Sequence, residues 1–334
     1  RAEDYIDFGP VPAIPEEEFL GAGVWQLYKG IDAPWKSILK LLLIECYART
    51  TGEALLSSQF KRAVFRGETD ADRLDPYVML YNRLEGWLTG PEVASRLDLI
   101  RRSLYLKASL PLTRSEVSGE QWRARLLRQM VTGWGWSENT LAELDDRQRW
   151  RAEDVTTLRR TIVNELTHGY RLLSKMAREH GQRAAISAND INLLGRKLYA
   201  AFQRKAGKIE FINPGISPDL SEALLTLAWS AGTDDNPASW SLYRDGLSAI
   251  ELSDHQALKR SLNLLAMLAW GHRNGLIDSA TRFVLHPGDS ALSEYELSNL
   301  VQSLQQQFPL PLPALTEIAL SRASEPCRVL LLLN

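Results

Sequence analysis

The chain has 334 residues, enough for about two domains with substantial cores. Hydrophobic residues make up 45% of it and charged residues 24%, a composition typical of folded proteins that excludes extended disorder. The formal net charge of −2 argues against a nucleic-acid-binding protein, because such domains usually carry a basic excess.

Two further features narrow the class of protein. Cys46 and Cys327 lie far apart in apolar runs, so neither a disulfide nor a thiolate metal site is expected. No basic and apolar leader opens the sequence, and the most apolar run, residues 38–47, is short and contains Lys40 and Glu45. We expect a cytoplasmic protein with no membrane span.

Residues 1–206 show the hydrophobic spacing of helices almost throughout. One helix is expected to begin with Asp32 as its N-terminal cap and Pro34 in its first turn, and to end near Arg49. A long helix over about 152–180 has apolar residues at steps of three and four. Other helices are predicted over 53–66, 76–88, 92–109, 119–132, 137–148 and 187–202.

After Gly207, short apolar or alternating runs bounded by turn-forming residues indicate strands. They are predicted over 208–212, 224–229, 240–244, 281–286 and 327–333, with helices near 254–273 and 293–307. A turn at 234–237 predicts a hairpin between the second and third strands. The predicted fold is a mostly α part, residues 1–206, followed by a smaller α+β part, residues 207–334, with a mainly antiparallel sheet.

Positive charge is concentrated in the middle of the chain. Between Arg149 and Lys208, thirteen Lys and Arg residues stand against five Asp and Glu, a net charge of +8. Two interpretations are open: a basic strip that attracts a triphosphate or another acidic partner, or the solvated face of a long helix. Near the end of this strip, Lys197 is expected to be solvated while its apolar neighbours pack.

Residues 18–29, EFLGAGVWQLYK, form the most informative segment. Its apolar positions, including Trp25 and Tyr28, have the spacing of a helix face that packs against a core, and its two glycines allow close backbone approach. The alternative is that Trp25 and Tyr28 stack on adenine while Lys29 meets a phosphate. A dinucleotide-binding loop is excluded because Gln26 stands where that pattern requires its third glycine.

This segment resembles the signature Glu-Tyr-Phe-Gly-Ala-Ser-Leu-Trp-Gln-Leu-Tyr-Lys of the class I adenylate cyclases. The departures are mild at an apolar, small-residue site. Further stretches resemble family landmarks and follow one another in family order: 30–36, 74–77, 96–102, 134–136, 196–202, 213–222 and 309–314. On this resemblance the chain is identified as the central segment of such an enzyme.

The resemblance implies a parent protein that converts ATP to cyclic AMP and pyrophosphate with Mg²⁺. Family members hold the magnesium ions with an Asp-x-Asp pair that follows Gly-Ser on a strand. The one Asp-x-Asp here, Asp70-Ala71-Asp72, lacks both the Gly-Ser and the apolar strand, so a solvated loop is expected. We therefore expect no catalytic residue, no metal ligand and no bound cofactor in this segment, and no cyclase activity from it alone.

The resemblance also implies partners. These are the N-terminal nucleotidyltransferase domain and the C-terminal regulatory region of the same protein, and the glucose-specific phosphocarrier protein of the sugar phosphotransferase system. By analogy with other nucleotidyltransferases, Arg196, Lys197 and Lys208 are candidates to touch ATP or pyrophosphate. The alternative is a regulatory scaffold that binds no nucleotide.

Overall fold

The computed structural model describes residues 16–50, 54–114, 121–180, 186–203, 208–234, 236–313 and 316–322. They fall into two units, one within Arg1–Arg147 and Thr161–Gly195, the other within Gln148–Arg160 and Arg196–Asn334. We call them the helical unit and the α+β unit. The fold class predicted from the sequence is confirmed. No helix among the described residues is long and apolar enough to cross a membrane.

The helical unit begins with α1 and α2, and α9 and α10 contribute residues to both units. The predicted helices over 76–88, 92–109, 152–180 and 187–202 are confirmed, with small shifts at their ends. The helices are α1 (Glu16–Gly30), α2 (Pro34–Arg49), α3 (Leu56–Phe65), α4 (Ala71–Leu74), α5 (Pro76–Trp87), α6 (Ala94–Ala108), α7 (Gln121–Trp134), α8 (Glu138–Asp145), α9 (Ala152–His180) and α10 (Ala188–Phe202).

Helix α2 is the centre of the helical unit's core. Ile38, Leu39 and Leu42 are fully buried, as the wide apolar stripe of this helix predicts. Its N-terminus differs from the prediction, because the capping position is Ala33, which makes no side-chain hydrogen bond to the helix. Pro34 occupies the first helical position, as predicted, where its missing backbone N–H leaves one unpaired donor fewer at the start of the helix.

The Trp134-Gly135-Trp136 landmark has a packing role in the helical unit. The ring centroids of Trp134 and Trp136 lie 4.8 Å apart, and Tyr81 and Tyr105 extend the aromatic cluster at 5.4 Å and 5.8 Å. Gly135 has a φ of +69°, a conformation that favours glycine. The glycine lets the chain turn between two rings that pack edge to face.

The α+β unit contains a four-stranded sheet of order β3-β2-β1-β4. Strands β1 and β2 form the predicted hairpin, β2 and β3 are also antiparallel, and β1 pairs with β4 in parallel. The elements are β1 (Leu224–Ser230), β2 (Ser239–Arg244), β3 (Lys259–Ser261), α11 (Leu264–Arg273), β4 (Arg282–His286), α12 (Glu294–Gln307) and α13 (Glu317–Ser321). Helix α12 begins with a capping box between Ser293 and Glu296.

Two sequence predictions for the α+β unit are wrong. Residues 208–212 form no strand: the side chain of Asn274 bonds the backbone N–H of Ile212 and the carbonyl of Glu210, at 2.7 Å and 2.8 Å. The helix predicted from 254 begins only at Leu264, because residues 259–261 pair with β2 as strand β3. The strand predicted over 327–333 lies outside the described residues.

Candidate docking and nucleotide-binding surfaces

Arg196 and Lys197, two of the predicted nucleotide contacts, are neighbours on α10. Arg196 Nη1 donates a hydrogen bond of 2.8 Å to the carbonyl oxygen of Leu320. Lys197 is only 8% exposed, so the expectation that this lysine is solvated is wrong. The expectation that its neighbours pack is confirmed for Leu198 and Phe202, which are both buried.

Lys208, the third predicted cation, closes the end of the same helix. Its Nζ donates to the carbonyl oxygens of Tyr199 and Gln203, at 2.8 Å and 2.9 Å. The last carbonyls of a helix lack partners within the helix and carry partial negative charge, so a lysine there is stabilising. Burial, together with the nearby charge of Arg159, lowers the pKa of Lys208. The structure thus gives Arg196 and Lys208 backbone acceptors of their own.

The signature segment forms α1, and its side chains divide between two faces. Leu20 and Leu27 are buried, whereas Trp25 is 54% exposed and Tyr28 38% exposed. The predicted packing of Trp25 and Tyr28 into the core is therefore wrong: the helix turns them outward. We call Trp25, Tyr28 and Lys29 the signature face.

The signature face is ordered by its own contacts. The rings of Trp25 and Tyr28 are parallel within 2°, with centroids 6.4 Å apart, and Lys29 Nζ lies 4.6 Å from the Trp25 ring centroid. A cation over a tryptophan ring and an offset aromatic pair are both stabilising arrangements. Such a face presents flat aromatic area and positive charge together, which suits an aromatic base, an acidic protein surface or a phosphate.

Two further lysines lie near the signature face. Lys36 and Lys40 lie one turn apart on α2, and the pKa of Lys40 is lowered by its burial and by the charges of Lys36 and Lys29. Across the part of the chain that the structure describes, no carboxylate forms an ion pair with any of these three lysines. The cations repel one another, so an acidic partner would relieve that repulsion.

A groove of about 580 Å³ in the helical unit is lined mainly by apolar side chains. Phe19 on α1, Tyr47 on α2, Phe60 on α3 and Met79 on α5 contribute to its wall, and Lys40 is one of two lysines there. The groove therefore combines apolar area with the same uncompensated positive charge. Sequence reasoning missed it because its lining comes from four helices.

A buried charge cluster connects α2, α6 and α9. Arg96 donates to both oxygens of Glu165, at 2.9 Å and 2.7 Å, and pairs with Glu45, whose Oε1 also lies 2.9 Å from His168 Nε2 and from Arg49 Nε. Burial alone would raise the pKa of Glu45, but the hydrogen bonds from Arg96 and His168 outweigh it and lower this pKa. The sequence contains two signals of this charge cluster: Arg96 begins a family landmark, and Glu45 interrupts an apolar run.

The Asp70-Ala71-Asp72 pair has a local structural role. Asp70 caps α4 by accepting a hydrogen bond of 3.0 Å from the backbone N–H of Asp72, so these residues begin a short helix where a loop was expected. Within the described ranges, no three His, Cys, Asp or Glu side chains are placed to hold a metal ion.

Comparison with known proteins decides the family. The model for the second domain of class I adenylate cyclases matches residues 14–213, and the model for their third domain matches residues 220–312. The chain belongs to the class I adenylate cyclase family. It is 38% identical to the adenylate cyclase of Yersinia intermedia and 37% identical to that of Escherichia coli K12, in each case over 98% of this chain. No solved structure matches it significantly.

The cyclase relatives are much longer than this chain, which spans about 38% of their length. Within that span, the family landmarks have identifiable structural roles. The 96–102 landmark supplies Arg96 to the charge cluster, the 134–136 landmark supplies the aromatic cluster, and the signature supplies an exposed face. The division predicted near residue 206 stays a prediction.

Proposed function

We propose that this chain is the central segment of a cytoplasmic adenylate cyclase that converts ATP to cyclic AMP and pyrophosphate with Mg²⁺. In this proposal the segment supports the catalytic nucleotidyltransferase part of the same protein and is inactive alone. The signature face carries the proposal: Trp25 and Tyr28 are exposed although they belong to the segment with the strongest family resemblance. An exposed tryptophan–tyrosine pair, flanked by lysines that have no carboxylate partner among the described residues, suits docking on an acidic surface.

The second candidate function is contact with the nucleotide itself. The signature face favours it, because aromatic rings stack on bases and lysines attract phosphates. The proposal that Arg196, Lys197 and Lys208 touch ATP or pyrophosphate has weaker support, since Arg196 and Lys208 already donate to backbone carbonyls. The same titration can test both candidate sites of nucleotide contact.

The first experiment is calorimetric titration of this chain with a non-cyclisable ATP analogue and Mg²⁺ at two salt concentrations. Nucleotide contact predicts saturable binding that weakens with salt and is lost in the variant Trp25→Ala/Lys29→Ala. Loss in Lys197→Ala instead would assign the contact to α10. Tyr295→Ala is the matched control, because Tyr295 is 77% exposed on α12 and does not belong to the signature. Absence of binding would leave only the supporting role.

The supporting role is tested in a full-length class I cyclase that carries this segment. Truncating a central aromatic contact of an interface typically costs more than about 1 kcal/mol, so we expect Trp25→Ala to lower kcat roughly tenfold with KM for ATP little changed. A rise in KM alone would favour nucleotide contact. Unchanged kinetics in both Trp25→Ala and Tyr295→Ala would contradict the proposed role of the signature face.

We further propose that the α+β unit begins the regulatory half of the enzyme and receives signals through the glucose-specific phosphocarrier protein. This proposal rests on the family resemblance. Titration of this chain with the phosphocarrier protein, in its phosphorylated and unphosphorylated forms, tests it. Saturable binding of either form would support the proposal, and binding of neither would move the contact to another part of the enzyme.

A further inference from the structure

The apolar groove of about 580 Å³ in the helical unit has the size and the wall of a ligand site. Ligand cavities are typically about 300–1,000 Å³, with a mainly apolar lining and a few polar groups. Phe19, Leu43, Leu56 and Met79 line the groove from four different helices, and all four side chains are only half-buried. Large apolar side chains therefore meet around a space that the described residues do not fill.

The signature helix α1 contributes a third face to this groove, besides its core side and the signature face. Phe19, Ala22 and Gln26 line the groove, and residues three and four apart are neighbours on one side of a helix. The ring centroids of Phe19 and Tyr47 lie 5.4 Å apart, so an aromatic pair connects α1 with α2 along the wall. The groove is thus built in part by the segment with the strongest family resemblance.

The charged residues that line the groove have one sign. Lys40 and Lys61 belong to its wall, and no Asp or Glu does so among the described residues. Lys40 has no carboxylate partner in the described ranges, and its burial, together with the charges of Lys36 and Lys29, lowers the pKa of Lys40. An anion bound beside Lys40 would offset the repulsion among these lysines.

The volume of the groove favours a thin occupant. An α-helix with its side chains is about 10–12 Å across and has a pitch of about 5.4 Å, so one turn alone needs roughly 400–600 Å³. The groove would hold little more than one turn of a docked helix. A single extended acyl chain is much thinner, and it has no backbone polar groups that the apolar wall would leave unpaired.

We propose that this groove binds a free fatty acid. The carboxylate lies beside Lys40, and the acyl chain lies along the apolar wall formed by Phe19, Leu43, Leu56 and Met79. The thioether of Met79 suits such a ligand, because methionine adapts its shape to irregular apolar surfaces. This binding site goes beyond the cyclase function proposed above and does not depend on it.

Three probes test the proposal by calorimetric titration of this chain, each below its micelle-forming concentration. Dodecanoate has the full chain and the carboxylate, decanoate is two methylene groups shorter, and dodecyltrimethylammonium has a dodecyl chain with the opposite charge. Each buried methylene group changes affinity about fourfold, so dodecanoate should bind roughly tenfold more tightly than decanoate. Dodecyltrimethylammonium should bind about tenfold more weakly than dodecanoate, because the lysines repel it.

Two variants locate the site. Ala22→Phe should abolish binding of dodecanoate by filling the groove from the exposed side of α1, and Ala142→Phe, at an exposed position of α8, is its control. Lys40→Gln should weaken binding severalfold without loss of stability, since it removes a repelled charge. Lys175→Gln is the control for it, because Lys175 is exposed on α9 and does not line the groove.

Four results would overturn the proposal: no saturable binding of dodecanoate, equal affinities for dodecanoate and decanoate, equal affinities for the two dodecyl probes, or an unaffected Ala22→Phe variant. The second and third would mean that the probes bind apolar surface without a defined site. The first would leave the groove to a segment of protein.

Discussion

Two partly buried arginines, Arg96 in the helical unit and Arg273 in the α+β unit, have different partners. In the helical unit, Arg96 lies between two carboxylates, Glu45 and Glu165. Each of these charges therefore has an opposite charge beside it. In the α+β unit Arg273 has no carboxylate partner in the described ranges, and the Nδ1 of its neighbour His272 is unpaired there. A closed network of charges connects helices, whereas Arg273 lies against an aromatic ring, that of Phe211.

The largest expected effect comes from opening the closed network. Arg96→Met leaves Glu165 buried without its cation, while Glu45 keeps Arg49 and His168, and breaking a buried ion pair in this way costs about 3–5 kcal/mol. We expect the free energy of unfolding of the helical unit to fall by that amount in urea titrations followed by circular dichroism.

Arg102→Met is the matched control for Arg96→Met on the same helix. Arg102 pairs with Asp98, whose side chain is 48% exposed, and such an exposed pair contributes less than about 1 kcal/mol. Equal losses in the two variants would mean that the buried network contributes no more than a surface ion pair, and the proposed contrast between the units would fail.

The second-largest expected loss of stability comes from Asn274. Its buried side-chain amide bonds residues 208–212, the segment that was predicted as a strand. Its side chain bonds Ile212 N–H and the carbonyls of Glu210 and Trp270. Asn274→Ala leaves the Ile212 N–H and the Glu210 carbonyl without this partner, whereas the Trp270 carbonyl keeps the backbone N–H of residue 274; the loss should cost about 2–3 kcal/mol. Amide hydrogen exchange of Ile212 should accelerate in parallel.

Asn299→Ala provides the comparison for Asn274→Ala. Asn299 is exposed on α12, where a substitution should change the free energy of unfolding by less than about 0.5 kcal/mol. If Asn274→Ala were as mild as Asn299→Ala, residues 208–212 would not depend on the amide for their conformation.

The smallest expected effect is the difference in stability between alanine substitutions at two glycines of α1, Gly21 and Gly23. A Cβ at Gly23 would meet Leu173 Cδ2 at 2.3 Å, whereas at Gly21 the nearest atom is 3.9 Å away. Alanine favours a helix over glycine by about 1 kcal/mol, and overpacking costs about 1–3 kcal/mol. Gly21→Ala should therefore raise the melting temperature and Gly23→Ala should lower it or leave it unchanged; the reverse order would contradict this packing.

Periodicity along the chain was enough to predict most helices and the central strands. Helices α2 and α9 carry stripes at steps of three and four, and β1 and β2 are short apolar runs on either side of a turn. Such local patterns reflect which face of the helix or strand is removed from water. They do not depend on what that face packs against. The resemblance in residues 18–29 likewise led to the family without a structure.

Side-chain roles were predicted less well, because they depend on distant residues. The sequence shows Trp25 and Tyr28 at apolar helix positions, but only packing against α2 and α9 decided which side of α1 is buried. Lys197 is a charged residue beside an apolar stripe, and only the fold decided that it is buried. Residues 208–212 have a strand pattern, yet a side chain 62 residues away took the hydrogen bond that a neighbouring strand would have made.

The sequence by itself therefore determined the family, the order of helical and α+β parts and most of the regular elements. Tertiary structure alone decided the pairing of Arg96 with Glu45 and Glu165, 51 and 69 residues away, and the position of Arg273 beside an apolar cavity. The physical reason is how far apart in the sequence the interacting residues lie. Hydrophobic periodicity is a property of neighbouring residues, whereas a buried charge depends on groups that only the folded chain brings within hydrogen-bonding distance.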